Sequence, residues 1–457
     1  MTPSSTGPER LSGVTAIILA AGVGSRMHAA QPKVLHPLLG RPMAIWVVEA
    51  VRSVLSDPAL LLLSPATASL HALAPSGTLR AEQPQPRGTG DAVRCALPAL
   101  PAGATEILIA CGDTPLLEPS SISALIAARR AARAPIALAA FHAEDPTGYG
   151  RVALNDAGRA GRIVEERDAT VEERANDLVN AGLYAVDRAW LESALTRLSP
   201  SAGSGEIYLT DLVAYAAAEG TSAPVLLGSG ADLEGVNDRR QFADAAAALR
   251  ERINGAHLDR GVGMIDPTTV WIEPTVSIAA DVSIEPNVML SGNTSIGART
   301  RIESGSRIRE SVIGEDCAIR ASDIDASTIA DGVDVGPFAH IRPGCTIGAG
   351  SHVGNFAELK ATTLAAKVKV GHHSYLGDTS VGESSNIGAG TITANYDGEK
   401  KHATTIGAGV FTGVGTLIVA PLTMGDRSKS GAGAVVLKDV PAGALVVGVP
   451  ARTVGGE

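Results

Sequence analysis

The chain is poor in aromatic residues and in cysteine. Phe, Trp and Tyr make up only 3% of its 457 residues, and four cysteines are present. The cysteines form no Cys-x-x-Cys pair and show no Cys/His spacing typical of a zinc site, so neither a zinc motif nor a disulfide framework is expected. We therefore expect reduced thiols and cores built from aliphatic side chains.

Basic clusters and long apolar runs are also missing. The formal net charge is −10 and no dense stretch of Lys and Arg occurs, which argues against a nucleic-acid partner. No apolar run reaches the length of a membrane span, and the first ten residues are too polar for a signal peptide or anchor. These absences predict a cytoplasmic protein with no membrane partner.

Length, glycine and apolar residues are what the chain does have. It is too long for one ordinary core, its apolar content is 45%, and it contains 51 glycines. This combination predicts at least two well-packed domains with many tight turns.

Up to about residue 257, short apolar runs alternate with Ala-rich helical patterns. The strand candidates are residues 14–20, 107–111 and 135–141, and the helix candidates are residues 42–56, 120–133 and 239–252. Such alternation is typical of a Rossmann-like α/β domain with a mostly parallel sheet that is covered on both faces.

After residue 260 a six-residue period replaces the helical pattern. Aliphatic residues recur every six positions at Ile272, Ile278, Ile284, Leu290, Ile296, Ile302 and Ile308. A helix would scatter these side chains around its circumference, whereas a triangular coil points one side chain inward from each of its three faces. Stacked coils then bury a continuous aliphatic column, which predicts a parallel β-helix of hexapeptide repeats. Residues 361–369 and 393–403 break the period and are expected to form bulges or protruding loops.

These two patterns divide the chain. We predict a first domain over residues 11–238, a linker helix over 239–260 and a β-helix domain over 261–457.

A glycine-rich turn follows the first predicted strand. It reads LAAGVGSRM from Leu19 to Met27, and Pro32 and Lys33 come shortly after it. Gly22 and Gly24 let the backbone approach phosphate oxygens, to which their amides can donate, and basic side chains can add positive charge. The candidate phosphate-binding residues are Leu19, Ala20, Gly22, Arg26 and Lys33.

The β-helix half carries an unusual density of reactive polar residues. They are Arg342, Lys360, His372, Tyr375, Asn386, Asn395 and Tyr396. A purely structural coil would place small or solvated side chains at its outward positions, so this run predicts a second site.

The LAAGxGSRM turn followed by PKVL is similar to the motif of sugar-nucleotide pyrophosphorylases. Together with the hexapeptide half, the chain resembles the family of bifunctional N-acetylglucosamine-1-phosphate uridyltransferases and glucosamine-1-phosphate N-acetyltransferases. The resemblance extends over residues 11–450. It implies a left-handed β-helix, a homotrimer, a role in cell-wall precursor synthesis and four small-molecule substrates. These are UTP, acetyl-CoA, glucosamine-1-phosphate and N-acetylglucosamine-1-phosphate.

For the first domain, the resemblance assigns roles residue by residue. Gln83, Gly88 and Thr89 match the segment that reads uracil. Asp113 and Asn237 match residues that hold Mg²⁺, which prefers oxygen ligands. The positions that match the sugar-binding residues are Gly150, Glu165, Asn180 and Asn237.

For the coil, the resemblance makes His372 the general base, with Glu358 as a residue that could orient it. A histidine suits this role because its side chain ordinarily titrates near neutral pH. Sugar-phosphate binding is implied for Arg342, Lys360, Tyr375 and Asn386. Acetyl-CoA binding is implied for Asn395, Tyr396, Val414, Ala432 and Arg452, with Asn395 and Tyr396 also placing the amine and stabilising the oxyanion.

Two positions depart from the family pattern. Val414 replaces a residue that is commonly Ser, and Gly448 stands where Arg often precedes a late Val-Pro. Arg452 or Lys429 could supply the missing positive charge for coenzyme A.

Three alternatives compete with the bifunctional interpretation. The chain could be a single-activity nucleotidyltransferase with a scaffolding coil, a non-catalytic assembly protein, or an acyltransferase with a degenerate first domain. The first is disfavoured by His372 with the Asn395-Tyr396 loop. The other two are disfavoured by the presence of Arg26, Lys33, Asp113 and Asn237.

Overall fold

The computed structural model describes residues 10–22 and 24–454. The polar start of the chain up to residue 9, the last three residues of the predicted β-helix domain and Val23 of the glycine-rich turn lie outside the described residues. The chain divides into two compact units, of which the first ends at Ala248 and the second begins at Leu249. Among the described residues, no helix has the length and apolar character needed to cross a membrane.

The first unit is an α/β domain built on a nine-stranded sheet. The described strands of the whole unit, including two outside this sheet, are β1 (Val14–Leu19), β2 (Pro37–Leu38), β3 (Arg41–Pro42), β4 (Leu60–Leu63), β5 (Leu79–Glu82), β6 (Glu106–Cys111), β7 (Ile136–His142), β8 (Arg151–Leu154), β9 (Ala160–Val164), β10 (Leu178–Asp187) and β11 (Val225–Leu227). The main sheet has the order β11-β7-β10-β6-β1-β4-β5, with β8 and β9 attached to β10, while β2 and β3 form a separate pair.

Helices surround this sheet. The α-helices are α1 (Met43–Val54), α2 (Leu70–Leu73), α3 (Thr89–Ala96), α4 (Pro119–Ala132), α5 (Val171–Arg174), α6 (Arg188–Leu195), α7 (Asp211–Ala218), α8 (Gly230–Leu233) and α9 (Arg239–Leu258). Short 3₁₀ turns span Ser25–Met27, Lys33–Leu35, Pro65–Thr67 and Leu97–Ala99. Two separate aliphatic clusters contact the sheet, which confirms the predicted α/β fold with both faces covered.

The central strands determine where the polar loops meet. Strand β1 is parallel to both β4 and β6, and Leu19 pairs with Cys111 at the carboxyl ends of β1 and β6. Both strands are almost entirely buried, because each lies between two neighbouring strands of the sheet. The glycine-rich turn and the Gly112-Asp113 turn therefore leave the same edge of the sheet side by side.

The second unit is a parallel β-helix with three faces. The first face contains strands Gly263–Met264, Ser283–Ile284, Arg301–Ile302, Ala318–Ile319, Asp334–Val335, His352–Asn355, Lys369–His372, Asn386–Ile387, Phe411–Thr412, Lys429–Ser430, Leu445–Val447 and Arg452–Thr453. The second face contains Trp271–Ile272, Met289–Ser291, Arg307–Arg309, Asp323–Asp325, His340–Ile341, Glu358–Lys360, Tyr375–Gly377, Ile392–Ala394, Leu417–Val419 and Val435–Val436. The third face contains Ser277–Ile278, Ser295–Ile296, Val312–Ile313, Thr328–Ile329, Thr346–Ile347, Thr363–Leu364, Thr379–Val381, Thr404–Ile406 and Leu422–Met424. A 3₁₀ turn, Pro267–Thr269, lies between the first two strands of the unit.

The six-residue period is the repeat of these faces. Trp271 pairs with Met289 and Ser277 with Ser295, so one turn of the coil takes 18 residues, or three units of six. The inward aliphatic side chains form one buried cluster that runs along the unit. The predicted hexapeptide β-helix is therefore confirmed.

One of the two predicted interruptions does not protrude. Residues 361–369 continue the strand pattern, and the pairing of His352 with Lys369 shows a turn shortened to 17 residues. The prediction of a bulge there was wrong, because losing one residue at a corner disturbs the sequence period without ejecting a loop. The second interruption is a true insertion, since Thr379 pairs with Thr404, 25 residues later.

Helix α9, Arg239–Leu258, covers most of the predicted linker. Arg239, near its start, donates a hydrogen bond of 3.2 Å to the Met27 carbonyl. Asn254, near its end, donates to the carbonyls of Pro267 and Val270 at 2.8 and 2.9 Å. The domain limits 11–238, 239–260 and 261–457 stay predictions.

Candidate active sites

In the first unit, the glycine-rich turn lies directly against Lys33. Gly24 has a φ of +73°, in the left-handed region that favours glycine. A Cβ atom at this position would lie 2.7 Å from Cγ of Lys33, so any side chain at residue 24 would displace the lysine stem. The turn therefore positions the backbone of Gly22 and Gly24 and the Lys33 side chain together.

Four of the predicted residues meet at one point. The Lys33 ammonium forms a salt bridge with the Asp113 carboxylate and donates a hydrogen bond of 3.0 Å to the amide oxygen of Asn237. The Arg26 guanidinium donates to the same Asn237 oxygen, also at 3.0 Å. The backbone N–H of Val236 donates to the Asp113 carbonyl at 2.8 Å, which holds the Asn237 segment beside the end of β6.

This cluster has a donor set that fits a magnesium ion. The oxygens of Asp113 and Asn237 both face one positive charge, the Lys33 ammonium. Over residues 10–22 and 24–454, no three or more His, Cys, Asp or Glu side chains are grouped so that they could hold a metal ion. A hard cation here would complete its shell with water and substrate phosphate, as Mg²⁺ commonly does.

A cavity of about 500 Å³ extends from this cluster toward α3. Its lining includes Leu19, Gly22, Gln83, Gly88 and Thr89, which are predicted nucleotide-binding residues. Ala20 is buried in the sheet, and its N–H donates to the Leu62 carbonyl, so Ala21 lines the cavity in its place.

Gln83 and its neighbours are already held in a polar arrangement. The Gln83 side-chain amide donates to the Gly88 carbonyl at 3.2 Å and to the Asp91 carboxylate at 2.9 Å. Gly88 has a φ of +105°, and a Cβ there would lie 2.5 Å from the Ile207 carbonyl oxygen. Because the Gln83 N–H groups are engaged in these bonds, its amide oxygen is the atom presented to a ligand.

A smaller cavity of about 200 Å³ contains Gly150, Glu165, Asn180 and Asn237, the four predicted sugar-binding residues. The Thr210 hydroxyl donates a hydrogen bond of 2.7 Å to the Glu165 carboxylate. Burial raises the pKa of Glu165, although the Thr210 hydrogen bond acts in the opposite direction. A carboxylate in such surroundings is a strong acceptor for a ligand hydroxyl.

Several residues of the sugar cavity were missed by the sequence reasoning. The Tyr149 hydroxyl donates to the Gly235 carbonyl at 3.2 Å, and the Asn180 amide donates to the Tyr184 hydroxyl at 2.6 Å. Burial raises the pKa of both tyrosines and raises that of the Cys111 thiol to about 12. These groups are neutral wall residues. Only Tyr149 lay next to a predicted position, Gly150.

In the second unit, one group of predicted residues lies on the second face. Arg342 donates to the Glu358 carboxylate at 2.9 Å, and Glu358 pairs with Tyr375 in the next turn. In the described part of the chain, Glu358 has no hydrogen bond to His372. Lys360 lies beside Gly377, and a Cβ at Gly377 would contact the Tyr375 hydroxyl and the Asn395 amide. Arg342, Lys360, Tyr375 and Asn395 are thus neighbours.

Lys401 is a further member of this group that the sequence reasoning missed. It lies in the inserted loop, where the backbones of Tyr396 and Lys401 pair in an isolated antiparallel β-bridge. A contact with the Lys401 amine lowers the pKa of Lys360, with Arg342 adding to the effect. Three cations held this close repel one another, and a bound dianion such as a phosphate ester would relieve that repulsion.

The two predicted residues of the inserted loop, Asn395 and Tyr396, differ in how they are held. Asn395 is buried and its amide donates to the Asp378 carboxylate, whereas Tyr396 is 61% exposed and its hydroxyl donates to the Gly398 carbonyl. Only Asn395 is therefore held in place against the second face.

The remaining predicted residues lie on the first face or at its corner with the second. His372 ends one first-face strand, and Asn386 lies one turn on, opposite Lys369. Val414 and Ala432 occupy this corner in successive turns, where the Gly433 N–H donates to the Val414 carbonyl at 2.8 Å.

The last predicted coenzyme residue and the catalytic candidate are both open to solvent. Arg452 is in the final, antiparallel strand, opposite Val447. The His372 side chain is exposed, and the neighbouring His373 ring stacks on Phe356 with centroids 5.1 Å apart. A single chain thus distributes the predicted acetyltransferase residues over two faces.

Two family models match the chain. A MobA-like NTP transferase domain covers residues 16–207, and a bacterial transferase hexapeptide model of six repeats covers residues 326–361.

Curated relatives match almost the whole chain. One from Pelobacter propionicus is 42% identical over 96% of this chain and 96% of its own length. One from Sorangium cellulosum is 43% identical over 95% and 93%, and one from a Synechococcus species is 40% identical over 94% and 96%. All three are named bifunctional protein GlmU.

Proposed function

The chain belongs to the GlmU family of bifunctional proteins, and we propose residue roles for its two reactions from this premise. It is a nucleotidyltransferase and an acetyltransferase of UDP-N-acetylglucosamine synthesis, with a left-handed β-helix as its second domain. Acetyl transfer from acetyl-CoA to glucosamine-1-phosphate comes first. Uridylyl transfer from UTP to the acetylated product follows.

For uridylyl transfer, the first unit binds both substrates side by side. The Gln83 amide and the Gly88-Thr89 backbone read the uracil edge, and the amides of Gly22 and Gly24 receive the phosphates. Glu165 and Asn180 hold the sugar through its hydroxyl and N-acetyl groups. This division rests on the two adjoining cavities, which share Leu19, Thr89 and Asp113.

The reaction is an in-line displacement. A phosphate oxygen of N-acetylglucosamine-1-phosphate attacks the α-phosphorus of UTP, and the bond to the leaving pyrophosphate breaks. Arg26 and Lys33 neutralise the charge that develops on the phosphoryl oxygens. Asp113 and Asn237 would hold Mg²⁺, which supplies further charge neutralisation when bound.

For acetyl transfer, His372 takes the proton from the amine of glucosamine-1-phosphate as that nitrogen attacks the thioester carbonyl. The coenzyme A thiolate leaves and is protonated. Asn395 stabilises the tetrahedral oxyanion, with Tyr396 next to it. Arg342, Lys360 and Tyr375 bind the sugar phosphate, where the repulsion between Lys360 and Lys401 favours a dianion.

Coenzyme A runs along the corner between the first and second faces in this proposal. Val414 and Ala432 line that corner, and Arg452 beyond them supplies a positive charge for the 3′-phosphate, as does Lys429. Asn386 holds the sugar. The stacking of these residues in successive turns supports an extended ligand parallel to the coil axis.

We also propose a cytoplasmic homotrimer. Three of the five phenylalanines, Phe338, Phe356 and Phe411, are 58%, 53% and 47% exposed on the coil. Exposed aromatic side chains of this number favour burial against another copy of the chain. Assembly would also bring the first face of one copy to the second face of its neighbour, which a single coil does not do.

The single observation that carries the proposal is the meeting of Arg26, Lys33, Asp113 and Asn237 at one sheet edge. The test incubates the enzyme with glucosamine-1-phosphate, acetyl-CoA, UTP and Mg²⁺, and follows free thiol and pyrophosphate separately. Thiol release should fall about 10²- to 10⁴-fold in His372→Ala. Pyrophosphate release should fall by about 10²-fold or more in Asp113→Ala.

The pyrophosphate assay for His372→Ala is supplied with N-acetylglucosamine-1-phosphate, so that loss of the first step does not starve the second. His373→Ala is the matched control and should retain thiol release. If no thiol forms and pyrophosphate requires added acetylated sugar phosphate, the coil is a scaffold.

A further inference from the structure

Lys33 occupies the position at which a metal ion would be held. Its ammonium contacts both oxygens assigned to magnesium, those of Asp113 and Asn237. We propose, on the basis of the proposed uridylyl transfer, that Lys33 is an internal counter-ion. It blocks metal binding until the phosphates of a nucleotide draw its ammonium away.

The charges of the cluster favour this exchange. Asp113 carries one negative charge, whereas Lys33 and Arg26 carry two positive charges, and Arg26 shares the Asn237 oxygen with Lys33. The Lys33 and Asp113 side chains are only 13% and 22% exposed, so water and salt screen them less than they would a surface pair. A divalent cation added to this arrangement is repelled by the two positive charges. The oxygens of Asp113 and Asn237 that would coordinate it already contact the Lys33 ammonium.

The location of the lysine stem links the exchange to nucleotide binding. The stem lies against Gly24, which belongs to the turn proposed to bind phosphate. A triphosphate on that turn lies beside the ammonium and offers it stronger negative partners than one carboxylate and one amide. Once the ammonium moves to the phosphates, the Asp113 carboxylate is free to coordinate a metal, and the Asn237 oxygen keeps only its hydrogen bond from Arg26.

The choice of residue fits an exchangeable cation. Lys33 is the only lysine in the first 359 residues, and arginine is used at every other position there that carries a permanent positive charge. An ammonium is a point charge on a flexible stem, whereas a guanidinium is a planar fork that binds in a fixed geometry. The proposal therefore makes metal and nucleotide binding cooperative, with weak metal binding by the enzyme alone.

The experiment measures Mn²⁺ binding to the full-length protein without nucleotide, using the electron paramagnetic resonance signal of free Mn²⁺. Lys33→Met keeps an unbranched side chain, one atom shorter, and removes its charge. This variant should bind Mn²⁺ at least about tenfold more tightly than the wild type. Lys438→Met removes an exposed charge on the coil and should match the wild type. Lys33→Gln gives the same readout if the methionine variant fails to fold.

A double variant identifies the site of the added binding. Asp113→Asn in the Lys33→Met background should abolish the gain. Unchanged Mn²⁺ affinity in Lys33→Met, or a gain that survives Asp113→Asn, overturns the counter-ion proposal.

Pyrophosphate release by the wild type from UTP and N-acetylglucosamine-1-phosphate is measured in parallel. If it occurs while Lys33→Met binds Mn²⁺ like the wild type, the counter-ion proposal alone fails. If it does not occur, the proposed uridylyl transfer fails, and the counter-ion proposal fails with it.

Discussion

The two halves of the molecule build their sites in opposite ways. In the first unit, loops from parallel strands converge at one edge of the sheet, and Lys33, Asp113 and Asn237 contact one another within a single chain. In the coil, outward side chains diverge, because each face of a triangle points in a different direction. Its predicted residues accordingly lie on two faces, with Lys360 and Tyr375 on one and His372 and Asn386 on the other.

The difference shows that a repeat fold can display reactive groups in rows and still leave a site unfinished. An open α/β sheet provides a crevice by topology alone. A coil provides flat surfaces, so a pocket requires a neighbouring surface. We therefore expect uridylyl transfer to be a property of one chain and acetyl transfer to be a property of the assembly.

The largest effect should come from separating the copies. At urea concentrations where sedimentation shows single chains with folded units, acetyl transfer should fall by about 100-fold or more, since the site that we propose between neighbouring copies is then divided. Uridylyl transfer should persist at a comparable level in the same samples. Full thiol release from single chains would show that one coil suffices.

A second test addresses the cation group on the second face. Lys360→Met should raise the KM for glucosamine-1-phosphate by about 10- to 100-fold, because it removes one of the three positive charges that we propose bind the phosphate. Uridylyl transfer should not change. Lys367→Met, which removes an exposed lysine of the same coil that lies 3.9 Å from Glu383, is the matched control. Equal KM values for both variants would contradict the assignment.

The departure at Val414 allows a smaller and opposite test. Val414→Ser restores the hydroxyl that is common in the family at an exposed corner position. One added hydrogen bond should lower the KM for acetyl-CoA by about 2- to 10-fold. An unchanged KM would show that coenzyme A does not contact this corner through residue 414.

The smallest effect concerns the pH dependence of the first unit. Burial raises the pKa of Glu165, so the folded state favours the protonated acid. Stability is therefore lost as pH rises from below the ordinary pKa of a glutamic acid through the raised value. Glu165→Gln removes this cost and should raise Tm at pH 7.5 by about 1 to 3 °C. The gain should shrink toward pH 4.

The same variant should also raise the KM for N-acetylglucosamine-1-phosphate, since an amide oxygen accepts a hydrogen bond from a sugar hydroxyl less strongly than a carboxylate does. Asp211→Asn is a comparison for the effect on KM. Burial also raises the pKa of Asp211, but this residue does not line the sugar cavity. A Tm gain that is equal at pH 4 and pH 7.5 would contradict the role of the buried charge.

Much of the fold was predictable because the spacing of apolar residues along the sequence matches the repeat of each structural element. The six-residue ladder from Ile272 to Ile308 forms the buried column, and the strand and helix candidates of the first half match β1, β6, β7, α1, α4 and α9. The error at residues 361–369 arose because a one-residue deletion and a loop insertion both break a period. Only the strand pairing distinguishes them.

The candidate sites were predictable only as sets of residues. Motifs could nominate Asp113 and Asn237, which lie far apart in sequence, but not the ammonium between them. They also could not show that Ala20 is turned into the sheet while Ala21 lines the cavity, since neighbouring residues of one motif differ only in backbone direction. Lys401 was missed because no local pattern marks it, and its role arises from its contact with Lys360.

The sequence by itself determined the two architectures, the order of the domains and the family, since periodicity and motifs are properties of the chain read in order. The tertiary structure decided which side chains share a charge, which cavity each one lines and which face of the coil carries each predicted residue. The physical reason is distance. A salt bridge or a shared oxygen depends on a few ångströms between residues such as Lys33 and Asn237, and that separation is established only when distant strands pair and their loops leave the sheet together.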